Sequence, residues 1–318
     1  KDSIRSIQNK NSKSSLNKNF GFYFYNFERS EYTICNLDLS NCNVIDFQNS
    51  FDFESIDFNG KKYFYIGSSL ESFGTDLPAS DSLQISEGVY LQIFGSKNFS
   101  ANIQKGKIDL VLNNNQKVLF YGEGKFEDYE ISVQNNFSSQ NQNERQDENL
   151  LTGCLTIYNL QLDNISIFSE NSKCEDSVNF INVSGYLENI TIIDSTNDGL
   201  DIDFSNLKIE NVNISNSGND CLDISFSKIV IFDSDLRNCT DKGVSIGENS
   251  TVLFNKIHTA LSGVGITIKD SSNVEIEEFS SDENNICVAM YRKKQEFGPS
   301  YLLVKNYKCN SEIDNFIQ

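Results

Sequence analysis

The sequence predicts an all-β chain, a right-handed parallel β-helix built of 22-residue coils, and three observations predict it. One short pattern returns five times at a 22-residue step: Gly199-Leu200-Asp201-Ile202, Cys221-Leu222-Asp223-Ile224, Gly243-Val244-Ser245-Ile246, Gly265-Ile266-Thr267-Ile268 and Cys287-Val288-Ala289-Met290. A fixed period of this length marks a solenoid, in which each repeat buries its apolar face only against its neighbours. Apolar and polar residues alternate within each copy, which is strand periodicity. Leu200, Leu222, Val244, Ile266 and Val288 thus form one apolar column, and Ile202, Ile224, Ile246, Ile268 and Met290 a second. The crossovers, residues 207–214 and 229–232, are themselves strand-like, where parallel neighbours are usually joined by a helix. A leucine-rich repeat of similar length would need a fixed Leu and Asn spacing that these units lack.

Residues 1–19 are polar and aperiodic and read as a loose tail or linker. Residues 20–78 open with Phe-Gly-Phe-Tyr-Phe-Tyr-Asn-Phe and read as an aromatic-rich β cap, or first irregular coils, covering the sticky open end of the stack. An aromatic cluster of this kind also suits stacking on sugar rings. The β-helix proper is expected over 79–318. Its early strands, near 83–85, 89–93, 108–112 and 118–121, have an irregular period, and the polar stretch 134–149 reads as a solvated excursion. The stack is regular from Leu155, whose segment matches the one beginning at Leu207. Asn159, Asn189 and Asn211 are expected to form an Asn ladder at an inward corner. The period breaks after Met290 at residues 291–299, and one more strand, 302–304, follows.

Composition narrows the partners. A net charge of −19 over 318 residues leaves no basic face for nucleic acid and argues against anionic membrane surfaces. No apolar run approaches the roughly 20 residues of a membrane span. The chain starts at Lys1 with no visible signal peptide, as it would after removal of a leader or an upstream domain. The eight Cys show no metal spacing. Cys221 and Cys287 stand where the repeat has Gly and read as small structural residues, while Cys35 with Cys42 and Cys154 with Cys174 are the pairs a disulfide would join. Eight Asn-x-Ser/Thr sequons occur, near chance in a chain this rich in Asn and Ser.

The polar residues of the repeats form rows of their own. Asp198, Asp220, Lys242, Val264 and Ile286 make one; Asp201, Asp223, Ser245, Thr267 and Ala289 the next; Asp203, Ser225, Gly247, Lys269 and Tyr291 a third. Five carboxylates fall on two adjacent coils. Such a cluster either raises a pKa or holds a cation, and weak Ca²⁺ binding by Asp198, Asp201, Asp203, Asp220 and Asp223 is one expectation. Catalysis is the other. Glycoside hydrolysis needs a protonated and an ionised carboxyl; Asp198 and Asp220 are the candidate acid and base, Asp223 their tuning neighbour, and Lys269 the contact for a substrate carboxylate. Asp201, Lys242, Arg292 and Lys293 are further candidate substrate contacts. An acidic solvated face that merely shapes turns explains the same residues. Because the middle row should face outward, Ser245→Asp is expected to be mild. His258, the sole His, falls on a crossover and reads as structural.

In their order, Asn197-Asp198-Gly199-Leu200-Asp201, Asn219-Asp220-Cys221, residues 241–247 and Thr267-Ile268-Lys269 resemble the successive motifs of polygalacturonases in the pectin-lyase-like superfamily. That resemblance implies an active site spread over consecutive coils, with Asp198, Asp220 and Lys269 matching by position. Asn219, Lys242 and Thr267 depart from the family's Asp, His and Arg. A longer set over about 150–307, with Thr152-Gly153, Glu175-Asp176, Lys269-Asp270-Ser271-Ser272 and Lys293-Lys294-Gln295-Glu296-Phe297-Gly298-Pro299 added, is most similar to the β-helix found beside CotH-type kinase domains in bacterial surface proteins. This implies the fold and a secreted or surface setting. Function then divides between a polysaccharide-binding β-helix, which as an enzyme would be a hydrolase or lyase, and a non-catalytic structural or adhesive module of a larger surface, filament or phage-fibre protein. The partners expected are a polysaccharide or cell-surface glycan, with neighbouring domains or self-association through the solenoid ends.

Overall fold

The computed structural model describes residues 82–94, 100–113, 116–136 and 151–310, together with the backbone of short strands at 4–6, 21–26, 31–36, 42–45, 54–58, 61–65 and 316–317. The remainder of the expected tail and cap, and residues 137–150 of the expected excursion, lie outside the described residues, as do the side chains of Cys35 and Cys42. Among the described residues there is no helix, and hence none long and apolar enough to cross a membrane.

The chain forms a parallel β-solenoid with two principal sheets. One is built of short strands, Gly153–Tyr158, Asp176–Ile181, Asp198–Asp203, Leu222–Ser225, Lys242–Gly247, Val264–Lys269 and Ile286–Tyr291. The other is built of the longer strands that follow each, Gln161–Ser172, Ser184–Ser195, Asn206–Ser217, Lys228–Cys239, Thr251–Ala260, Asn273–Asp282 and Tyr301–Asn310. One short strand, a turn, one long strand and a second turn make a coil.

Register follows the repeat. Leu200 pairs with Leu222, Leu222 with Val244, Val244 with Ile266 and Ile266 with Val288. All five side chains are buried, as are Ile202, Ile224, Ile246 and Ile268 in the neighbouring column. The long strands supply the opposite wall. Leu207 and Ile209 point inward, the alternation slips by one residue, and Val212 and Ile214 point inward again. The same slip recurs in the neighbouring long strands, between Leu187 and Ile190 and between Ile231 and Ser234.

The irregular period upstream has a physical cause. Lys117–Gly122 runs antiparallel to Val89–Phe94, and Lys107–Asn113 antiparallel to Ser100–Gln104. Parallel pairing, and with it the fixed step, begins where Lys107 meets Glu130 and Val118 meets Leu155.

Both turns of a coil pass through a left-handed residue. Asn159, Asn182, Phe204 and Phe226 hold this position after successive short strands, and Asn171, Asp194, Asn216 and Asn238 hold it near the ends of the long ones, all with φ between 51° and 62°. Asn and Asp tolerate this region better than other L-residues. Asn ladders run along the corners. Asn211 donates to Asn189 at 3.0 Å, as the repeat predicts. Asn159 does not join them. It belongs to the other corner, where Asn182 donates to its Oδ1 at 2.7 Å. A further ladder runs from Asn238 to Asn216 to Asp194 in two bonds of 2.7 Å.

Among the described residues, three disulfides each tie a residue at the start of a short strand to one at or just past the end of the long strand in the same coil: Cys154–Cys174, Cys221–Cys239 and Cys287–Cys309. Cys154–Cys174 is the pair the spacing offered. Cys221 and Cys287, by contrast, are half-cystines rather than small fillers. Their column holds Gly in the other repeats, where a Cβ at Gly199 would lie 2.6 Å from the Cys221 carbonyl oxygen.

Candidate functional site

The outer face of the short-strand sheet gathers the acidic rows on three consecutive strands. Asp176 pairs with Asp198, and Asn179 with Asp201, which pairs with Asp223. Asn179, Asp201, Asp203 and Asp223 alternate with the inward columns of Leu and Ile and so face outward, while Asp176, Asp198 and Asp220 stand at or just before the starts of their strands.

Hydrogen bonds tie the acids together. The Asn179 amide donates to Asp201 at 3.0 Å and to Asp176 at 3.3 Å. Asp198 Oδ1 accepts from the Asn219 amide at 2.7 Å and from the Asp220 backbone N–H at 2.8 Å. Asp220 meets Lys242 Nζ at 3.2 Å, and Lys242 also pairs with Asp241. Asp223 accepts from the Ile224 N–H at 3.0 Å.

Burial dominates the electrostatics of the row. It pushes Asp176 up to about 7, against a hydrogen bond from Thr152, with the charges of Asp198, Glu175 and Asp203 adding to the rise. Asp220 is pushed up to about 7 by burial, although Lys242 pulls it down. Asp198 and Asp203 reach about 6, again through burial first, helped by the charge of Asp223. Asp201 is raised well above the usual range by burial and by Asp176. The face therefore holds protonated and ionised carboxyls side by side near neutral pH, and can both donate and accept hydrogen bonds.

Lys269 stands two coils further on. It is buried and donates to Ser245 Oγ at 2.7 Å. Its charge joins that of Lys294 in lowering the pKa of Glu248, which burial raises. Glu248 accepts from Ser225 at 2.6 Å and from Lys294 at 2.7 Å. Arg292 and Lys293 lie exposed beyond the last short strand, with the Lys293 backbone N–H on Asp270 at 2.7 Å. The structure thus brings Asp198, Asp201, Asp203, Asp220, Asp223 and Lys242 into one neighbourhood, sets Lys269 at its flank, and leaves Arg292 and Lys293 outside it. Among the described residues, no group of three or more Asp, Glu, His or Cys side chains is placed to hold a metal ion.

Two expectations change. Ser245 and Thr267 face outward yet are fully buried, so Ser245→Asp would not be a mild surface change. Asp176, Asn179 and Glu248 belong to the site although the repeat count, which begins at residue 196, passed over the first two. Their signal was the single step back from Asp198 to Asp176. His258 lies on a long strand with its Nδ1 2.8 Å from Ser280 Oγ, apart from the acidic rows.

Comparison with protein-family models, with curated proteins and with solved structures gives no match.

Proposed function

We propose that this chain is an extracellular or surface-attached β-solenoid that binds polysaccharide along its short-strand face. The observation that carries the reading is the carboxyl row itself. Asp176, Asp198, Asp201, Asp203 and Asp220 are all raised; Asp201, Asp203 and Asp223 are the half-buried members that reach solvent, so the row offers carboxyls able to donate as well as to accept. A sugar hydroxyl does both. The row crosses several coils in the direction an extended chain would take. The resemblance of its motif order to pectin-lyase-like β-helices and to the CotH-associated β-helix agrees with this, as do the three disulfides among the described residues with an oxidising compartment.

Hydrolysis is the enzyme form of the reading, with Asp198 and Asp220 as acid and base. Asp198, however, spends one oxygen on the Asn219–Asp220 turn, which is a task in the fold. Binding is therefore the function put forward. The same hydrogen bonds favour the second reading, a non-catalytic structural or adhesive module of a larger surface protein. Screening a glycan array with the intact chain and with Asp223→Arg separates them. The proposal expects hits that the variant loses; the structural module expects none.

A further inference from the structure

Two phenylalanines stand where the fold asks for asparagine. Phe204 and Phe226 occupy the left-handed corner position at φ 52° and 51°, a conformation that is unfavourable for a bulky side chain and suited to Asn. One and two coils earlier, the same corner holds Asn182 and Asn159. There the amides form a ladder: Asn182 donates to Asn159 Oδ1 at 2.7 Å, and Asn159 donates to the Gly122 carbonyl at 3.0 Å. Phe204 ends that ladder, since it brings no amide to continue it.

The two rings are displayed rather than buried. Phe204 is 57% exposed and Phe226 44%. They stack with centroids 5.0 Å apart and planes 9° from parallel, and Phe297 lies against Phe226 at 6.1 Å. Phe297 is carried by the segment after the last short strand. Asp270 Oδ1 anchors that segment by accepting from the Lys293 and Lys294 N–H groups at 2.7 and 2.8 Å, and Lys294 reaches Glu248. Stacking covers one side of the pair. On the other side Phe204 opens onto a cleft of about 430 Å³, shared with Asn159, Asn182, Gln161, Ser184 and Glu123.

An exposed aromatic ring beside a row of amides and a hydroxyl matches one face and one edge of a sugar ring: the ring packs on the C–H face, and the amides meet the hydroxyls. Charge narrows the sugar. Glu123 lines the cleft, Asp203 precedes Phe204, and the chain carries a net charge of −19, so a uronate would be repelled. The same charge opposes a second copy of this chain as the occupant. We propose that the Phe204 cleft is a subsite for one pyranose ring of an uncharged polysaccharide. This rests on the glycan-binding reading and names its substrate class.

The test is calorimetric titration of the intact chain with three hexamers, of β-1,4-linked glucose, β-1,4-linked N-acetylglucosamine and α-1,4-linked galacturonate. Wild type is compared with Phe204→Asn and Phe204→Tyr. Phe204→Asn suits the left-handed corner and can extend the Asn182 ladder, so its Tm should equal or exceed that of wild type. Its affinity for an uncharged hexamer should fall roughly tenfold or more, while Phe204→Tyr keeps the affinity. Unchanged affinity in Phe204→Asn would overturn the subsite and leave the broader reading standing. Galacturonate bound as tightly as the uncharged hexamers would overturn the substrate class. No binding of any hexamer by wild type would remove both readings, and loss of a wild-type dimer in Phe204→Asn by sedimentation would then assign the patch to self-association.

Discussion

The side-chain amide of Asn179 donates to Asp201 on the next coil at 3.0 Å, while its own Oδ1 is buried without a partner. Its second bond, at 3.3 Å, goes to Asp176. Burial and the repulsion of neighbouring carboxyls raise both Asp176 and Asp201, so the row favours holding a proton. Proton uptake by this row is thus part of how the fold settles, and it gives the stability an unusual pH dependence.

Asp176 and Asp220 titrate near 7, and Asp198 and Asp203 near 6, against an unfolded value of about 4. A carboxyl raised by folding gives its stabilisation in full below the unfolded pKa and loses it as pH climbs through the folded one. Tm should therefore fall between pH 5 and pH 8. Asp176→Asn should raise stability more at pH 8 than at pH 5, the difference being on the order of 1–3 kcal/mol. Scanning fluorimetry across that range checks both; a wild-type Tm that rises toward pH 8 would refute the proton-holding row.

Leu222 is fully buried in the apolar column and pairs with Leu200 and Val244. Leu222→Ala should cost about 2–5 kcal/mol, and Leu222→Asp should leave the stack unfolded, read as loss of the strand signal in far-UV circular dichroism. Lys208→Glu, on the exposed side of a long strand, should be silent in the same assay.

Asn216 is both a left-handed residue, at φ 62°, and the middle rung between Asp194 and Asn238. Asn216→Gly keeps the backbone geometry and loses the rungs; Asn216→Ala loses both. Denaturant unfolding should rank them wild type, then Gly, then Ala, with the Ala variant down by about 1–2 kcal/mol. Ala more stable than Gly would show that the corner conformation contributes nothing.

Replacing both Cys221 and Cys239 by Ala should cost about 2–4 kcal/mol, and alkylation without reduction should leave Cys154, Cys174, Cys221, Cys239, Cys287 and Cys309 unlabelled. Labelling of any of the six in the folded chain would contradict its pairing.

The inward columns were legible because a 22-residue step and a two-residue alternation together leave no freedom in which side chains meet. Depth was less legible. Alternation assigns Ser245 to the outer face but does not say that neighbouring rows bury it there. Corners were less legible still. Asn159 and Asn189 look alike in sequence, and only the turn geometry sends the first to Asn182 and the second to Asn211. Phe204 went unnoticed because its backbone strain and its exposure arise from the corner, and no sequence period marks either. Five of the carboxylates were found by counting; Asp176, with its value near 7, fell one coil before the count began.

The central claim is that the short-strand face binds polysaccharide, and affinity electrophoresis through gels cast with soluble glycans tests it most directly. Wild type should be retarded by at least one glycan. Asp223→Arg, on that face, should abolish the retardation, and Lys208→Glu, on the other sheet, should keep it. Equal mobility of wild type in every gel, or equal retardation of wild type and Asp223→Arg, would contradict the account.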